Sequence, residues 1–268
     1  MLRRIGLIVA ALAAVVGVAC GRQVTPNPAG LGPGGSPPGF VTVFFNVQSP
    51  FNFSSYQYHV VFNTTGDGRT PSTDTLQTNW DGYSYTFVAR GTGGTSFAQA
   101  VAFLHNQQNP HTPPYWYPIG ITPQTFFYNL DANGTGTQFS IRASRVLFNY
   151  NPSPTPSPTA SPPHIYTFNA FVTQANGSGQ WLFVDSMGAG GPVDPQFVSP
   201  HLDMTTCFDN IYHAIYTGVT DPAAQITTIE IANNPAQNPC SGSAAKRRSY
   251  VGAPLALSPL LSLGERRR

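Results

Sequence analysis

Three consecutive aromatic residues, Tyr115-Trp116-Tyr117, stand between Pro113-Pro114 and Pro118. Flat rings recognise sugars by covering their apolar C–H faces, and flanking prolines leave such rings little entropy to lose on binding. The same rings could instead cap an apolar core, because large aromatics are usually buried in large part. Exposed rings beside a groove would favour sugar binding. Buried rings with a broad interface elsewhere would favour a structural role. Trp80 and Trp181 are weaker candidates, and Trp181 alternates with Phe183 in a pattern that packs it inside.

Hydrolysis of a glycosidic bond requires two carboxyl groups converging on it. Here they would come from Asp67, Asp81, Asp185, Asp203, Asp209 or Glu230, and no spacing singles out a pair. His59, His105, His111, His164, His201 and His213 are scattered, without the tight spacing of a metal-ligand motif. Asp131-Ala132-Asn133-Gly134-Thr135-Gly136 places oxygen donors at alternate positions, as a calcium loop does. Arg142 stands where the closing acidic ligand is expected, so an Asx turn suffices. The triplets beginning at Asn63, Asn133 and Asn176 are read as turns. There is no serine elbow, phosphate loop or dinucleotide fingerprint, so no catalytic residue, metal or cofactor is indicated.

The elements that must carry these residues are strands. Tyr56, Tyr58, Val60 and Phe62 alternate along 56–63, and Tyr83, Tyr85, Phe87 and Ala89 along 83–90. A period of two with aromatic and β-branched residues predicts two half-buried strands. Phe40–Val47 is a dense apolar strand, and Phe97, Val101 and Phe103 share one face of another. Phe126–Leu130 is a short strand, and Phe139–Phe148 a long one with an irregularity near Ser144 and Arg145. Ile165–Val172, Gln180–Asp185 and Gln225–Ile231 complete the set. Phe208, Ile211, Tyr212 and Ile215 have helical spacing, so one short helix is expected within 203–216. The fold class is all-β, an antiparallel sandwich of immunoglobulin-like or jelly-roll-like type.

Composition agrees. Gly and Pro number 26 each and charged residues only 9% of 268, which suits short strands joined by many turns. The run 151–163 is too proline-rich for a sheet interior and is read as a projecting loop of one sandwich spanning 40–245, ahead of a linker between two domains. Between Phe40 and Ala245 four arginines face ten carboxylates, so the net positive charge belongs to the ends. No basic face with interleaved aromatics exists to bind nucleic acid.

Residues 1–20 read as an export signal, with Arg3 and Arg4 ahead of an apolar run and Gly17-Val18-Ala19 before Cys20. This stretch resembles a bacterial lipoprotein signal, although Gly17 replaces the usual large aliphatic. The resemblance implies acylation of Cys20, attachment to the membrane by more than one chain, and, with Gly21 following, placement at the outer membrane or cell surface. Setting Cys20 aside leaves Cys207 and Cys240, an even pair suited to an oxidising compartment. A bond between them would close a loop of about 33 residues and contribute roughly 3–4 kcal/mol in the chain-entropy account. Residues 21–39 are a Gly- and Pro-rich tether. Residues 246–268 are a basic flexible tail, with contact to anionic lipid or polymer as the alternative.

The progression Tyr58-His59-Val60-Val61-Phe62-Asn63-Thr64-Thr65-Gly66-Asp67-Gly68, then Tyr83–Val88, then Trp181–Asp185 is similar to DOMON-like and xylanase-associated carbohydrate-binding sandwiches. The likeness covers about the central half of the chain and implies binding of sugar or, less readily, haem. It assigns no ligand residue. The expected function is non-catalytic, binding a glycan or another envelope component. A structural or protein-interaction role is the first alternative and a surface hydrolase the second.

Overall fold

The computed structural model describes residues 35–64, 83–92, 95–104, 115–130, 136–149, 164–175, 181–188, 200–215, 218–240 and 248–251. Among the described residues the chain forms β1 (Phe40–Val47), β2 (Tyr56–Asn63), β3 (Tyr85–Thr92), β4 (Thr95–Leu104), β5 (Tyr115–Pro118), β6 (Phe126–Asn129) and β7 (Gln138–Ser144). There follow β8 (Ile165–Ala175), β9 (Trp181–Ser186), β10 (His201–Asp203), β11 (Phe208–His213), β12 (Ile226–Asn234) and β13 (Arg248–Val251). They build two sheets. One has six strands in the order β13-β11-β12-β1-β7-β6. The other has seven in the order β10-β8-β2-β3-β4-β5, with β9 also on β8. Pairing is antiparallel except between β11 and β13. The fold is the expected all-β sandwich.

Aromatic rings fill the space between the sheets. Phe45 of β1 stacks on Phe139 of β7 at 5.0 Å and meets Tyr58 of β2 edge-on at 5.7 Å. Phe87 of β3 reaches Phe126 of β6 at 5.7 Å, and Phe168 of β8 reaches Tyr212 of β11 at 4.8 Å. Each such pair adds about 0.5–1.5 kcal/mol beyond its buried area. The Tyr58 hydroxyl donates to the Ala223 carbonyl at 3.0 Å and accepts the Asn52 N–H at 3.0 Å, so its polar end is satisfied. Burial pushes this phenol far above its ordinary pKa.

The alternation of β2 and β3 translates directly into pairing. Tyr58 faces Ala89, Val60 faces Phe87, and Phe62 faces Tyr85. β2, however, is buried along its whole length rather than half-buried. Its outward residue Val61 joins Tyr83, Phe103, Phe171 and Phe183 in a second apolar cluster on the far side of the seven-stranded sheet. Tyr83 therefore does not share a face with Tyr85. It precedes β3 and packs against Phe171 at 6.0 Å. Phe97, Val101 and Phe103 do share a face, but it is this outward one, and Ala98, Ala100 and Ala102 face the main core.

Strands from both sides of 151–163 interleave in each sheet: β12 beside β1 and β8 beside β2. The chain thus builds one sandwich. The helix expected within 203–216 is absent, because 208–213 is strand β11. There Asn210 and Tyr212 pair with Ile231 and Ile229 of β12, so a ladder satisfies the backbone that helical spacing would have turned inward. The irregularity after Ser144 is a 3-10 helix, Arg145–Asn149, whose buried Leu147 and Phe148 close one end of the core. Ser36, within the expected tether, is buried and hydrogen-bonded to Thr42, and its carbonyl accepts from Asn234 at 2.8 Å. At the other end β13 carries ordered sandwich structure into the stretch expected to be a flexible tail.

Candidate functional site

The sandwich has two lateral edges. At one, the seven-stranded sheet ends in β5 and the six-stranded sheet in β6, with residues 119–125 crossing between them. The crossing is tied down locally. Ile119 N–H donates to the Ala100 carbonyl at 2.9 Å, and Phe126 N–H to the Thr122 carbonyl at 3.0 Å. The Thr125 hydroxyl oxygen accepts the Thr122 N–H at 3.0 Å, closing a turn that aims β6 back along β7.

β5 is the aromatic triplet itself. Tyr115 pairs with Leu104, Trp116 with Phe103, and Tyr117 with Ala102. A strand sends successive side chains to opposite faces, so the three rings cannot form one flat platform. Trp116 turns to the outward face, half-buried, with His59 at 5.8 Å and Phe103 at 5.6 Å, both edge-on. Tyr117 turns to the inter-sheet side with Ala102 and is 36% exposed. Across the seam Tyr128 shares the inward face of β6, paired with the core residue Ile141, and is 44% exposed. Both tyrosines point toward the core direction yet reach solvent, because each lies on the last strand of its sheet. Ile121 and Phe127 add two further exposed apolar groups to this edge. Sequence reasoning missed Tyr128, Phe127 and Ile121. The continuous aromatic run over 126–128 reads as a strand buried on both faces, so the sequence carried no signal of their exposure.

Beside the apolar cluster, the outward face of the sheet near Trp116 also carries buried polar groups. His59 is fully buried, with Nε2 hydrogen-bonded to the Thr173 hydroxyl at 3.1 Å. Burial, with a smaller contribution from the nearby Arg90 charge, lowers its pKa to about 3. Arg90 donates to Gln99 Oε1 at 2.6 Å and lies over the Phe97 ring at 5.2 Å. Desolvation lowers the Arg90 pKa.

The acidic candidates among the described residues sit in different settings. Asp185 is buried and accepts the Ile226 N–H at 2.7 Å. Asp203 accepts the Thr205 N–H and hydroxyl at 2.9 and 2.6 Å, and the side-chain bond to Thr205 holds its pKa below the ordinary value. Asp209 and Glu230 are both buried on one face of neighbouring strands, diagonal to each other, since Asp209 pairs with Ala232 and Glu230 with Ile211. Asp67, Asp81, Trp80, Cys20 and residues 131–135 of the calcium-like loop lie outside the described residues, as does the side chain of Trp181. Asn63 is the last residue of β2 and is buried rather than in a turn, while Thr65 and the triplet beginning at Asn176 lie outside the described residues. Among the described residues no three His, Cys, Asp or Glu side chains group to hold a metal. Nothing here points to catalysis. Cys207 and Cys240 are joined in a disulfide, with Cα atoms 5.7 Å apart.

No protein-family model, curated protein or solved structure matches this chain.

Proposed function

We propose that this chain is an exported, lipid-anchored surface protein whose sandwich binds an envelope glycan without acting on it. One observation carries the reading. Six large hydrophobic side chains are exposed among the described residues, and four of them, Tyr117, Ile121, Phe127 and Tyr128, fall within a single twelve-residue crossing at one edge. Exposed apolar groups gathered at one edge mark an interaction site, with Tyr117 and Tyr128 on its inward side and Phe127 on the opposite face of β6. Tyrosine suits a hydrated polymer, because its ring covers C–H surface while its hydroxyl stays wet. The rings ride on hydrogen-bonded strands, so little order has to be created when a ligand arrives. β5 is only four residues long and ends in Pro118, features that discourage pairing with a foreign strand and leave side-chain recognition as the use of this edge.

Attachment is assigned to acylated Cys20. The anchor reading is tested by membrane fractionation of cells expressing the chain and its Cys20→Ala variant, and equal membrane retention of the two would refute it. The binding reading is tested by retention of the chain on insoluble polysaccharides, beside Trp116→Ala, Tyr117→Ala and Tyr128→Ala. Retention that falls about tenfold or more in the tyrosine variants supports the edge as the platform. A folded chain held by no polymer would turn the assignment toward a structural or protein-binding envelope role.

A further inference from the structure

The opposite edge of the sandwich is built differently. There the terminal strands are β13 and β10, and between them and β11 lies a recess of about 440 Å³. Its lining includes His201, Asp203, Thr206, Asn210, Arg248 and Tyr250. The volume falls within the range of about 300–1,000 Å³ usual for small-molecule clefts. We infer that this recess binds a single neutral sugar ring, either a free pyranose or the end of a chain. The inference goes beyond the edge assignment and rests on separate residues.

Three features carry it. Tyr250 stacks on Tyr212 at 5.1 Å with the planes 14° apart, and Tyr212 is itself pinned by the Asn210 side-chain amide, which donates to its hydroxyl at 3.0 Å. One face of Tyr250 is thereby backed and its plane set, while the residue stays 40% exposed and lines the recess. That is the arrangement needed to stack against the C–H face of a pyranose. Asp203 presents a fixed carboxylate. Thr205 occupies Oδ1, leaving Oδ2 to accept from a hydroxyl. Arg248 supplies forked N–H donors, and the Thr206 hydroxyl, which donates to the Asp203 carbonyl at 3.0 Å, can still accept. Arg248 and Asp203 line the recess together with His201, and Arg145 and His164 lie near Asp203, so it is the mixed donors and acceptors of the lining, rather than its charge, that match hydroxyl groups. The Cys207–Cys240 disulfide borders this recess through Cys207 and limits how far its wall can spread.

The test is titration of methyl glycosides of glucose, galactose, mannose and N-acetylglucosamine, with methyl glucuronide as the acidic arm. The full-length chain is used in a detergent lacking a sugar headgroup, and binding is followed by calorimetry. At least one neutral glycoside is expected to bind. Arg248→Gln and Tyr250→Ala should each weaken it about tenfold or more, Tyr250→Phe should retain it, and Tyr117→Ala and Tyr128→Ala should leave it unchanged. If Tyr250→Ala melts early, Arg248→Gln decides. Binding by no neutral glycoside, binding by the glucuronide alone, or binding that survives Arg248→Gln overturns the inference. Binding that survives Arg248→Gln but is lost in Tyr117→Ala or Tyr128→Ala belongs to the other edge, so it overturns the recess and leaves the edge assignment standing.

Discussion

The Asp185 carboxylate accepts the Ile226 N–H across 2.7 Å, linking the end of β9 in one sheet to the first residue of β12 in the other. Both partners are buried, so this contact spans the core rather than its rim. Asp185→Ala leaves a buried N–H without its acceptor and should lower unfolding free energy by about 1–3 kcal/mol. Asp185→Asn, which keeps an acceptor oxygen, should cost less. Urea denaturation of the three chains measures the order. Equal stability of Asp185→Ala and the parent would show that the bond contributes nothing net.

Gly91 makes a second close approach. Its N–H donates to the Phe53 carbonyl at 3.1 Å, and a Cβ at this position would lie 2.7 Å from the same oxygen. The obstacle is backbone, which cannot swing aside. Gly91→Ala is expected to destabilise the sandwich by about 1–3 kcal/mol, through displacement of the segment leading into β2. The midpoint of denaturation should fall with little change in slope.

His59 makes stability depend on pH. Its ordinary value is 6.5 and its folded value about 3, so the folded protein refuses a proton that the unfolded chain accepts. The contribution is complete above pH 6.5 and is lost progressively as pH falls toward 3. The full loss is on the order of 3–5 kcal/mol. Lowered Asp203 acts in the same direction, but only in the carboxylate range. Melting curves between pH 6.5 and 5 therefore report chiefly on the histidine. His59→Gln, which does not titrate, should flatten the slope in that window. An unchanged slope would remove His59 as its source.

Breaking the Cys207–Cys240 bond releases a separation of 33 residues that includes all of β11 and β12. The paired Cys207→Ser and Cys240→Ser variant should lose about 2–4 kcal/mol. Because Cys207 borders the recess, the same variant should weaken glycoside binding there and leave polymer retention at the other edge intact. Parallel melting and binding measurements separate the two effects.

Much of the framework was legible in the residues themselves. The shared faces of Tyr58, Val60 and Phe62 and of Tyr85, Phe87 and Ala89 were legible from the two-residue period, whereas their register against each other comes from the structure. The cysteine pair was legible from parity. What escaped depends on contacts that the sequence does not order. Gln57 and His59 look like solvent-facing polar positions, yet they are buried beneath a second layer, and His59 finds Thr173 of β8 as its partner. Over six residues the helical and strand periods overlap, and only the presence of β12 alongside turns 208–213 into a strand. The triplet at 115–117 was recognised as aromatic, but its division between two faces follows from its being a strand. The recess was invisible because its walls come from 201–210 and 248–250, and the second of these had been taken for a tail.

β1 stands in the middle of the six-stranded sheet, yet its two neighbours arrive late: β7 ends at Ser144 and β12 at Asn234, the partner of Phe40. During synthesis β1 emerges long before either neighbour, and its sheet cannot close until 226–234 have been made. Contacts of such long sequence separation form slowly. If the chain is exported as proposed, this wiring keeps it open to threading until late in its synthesis.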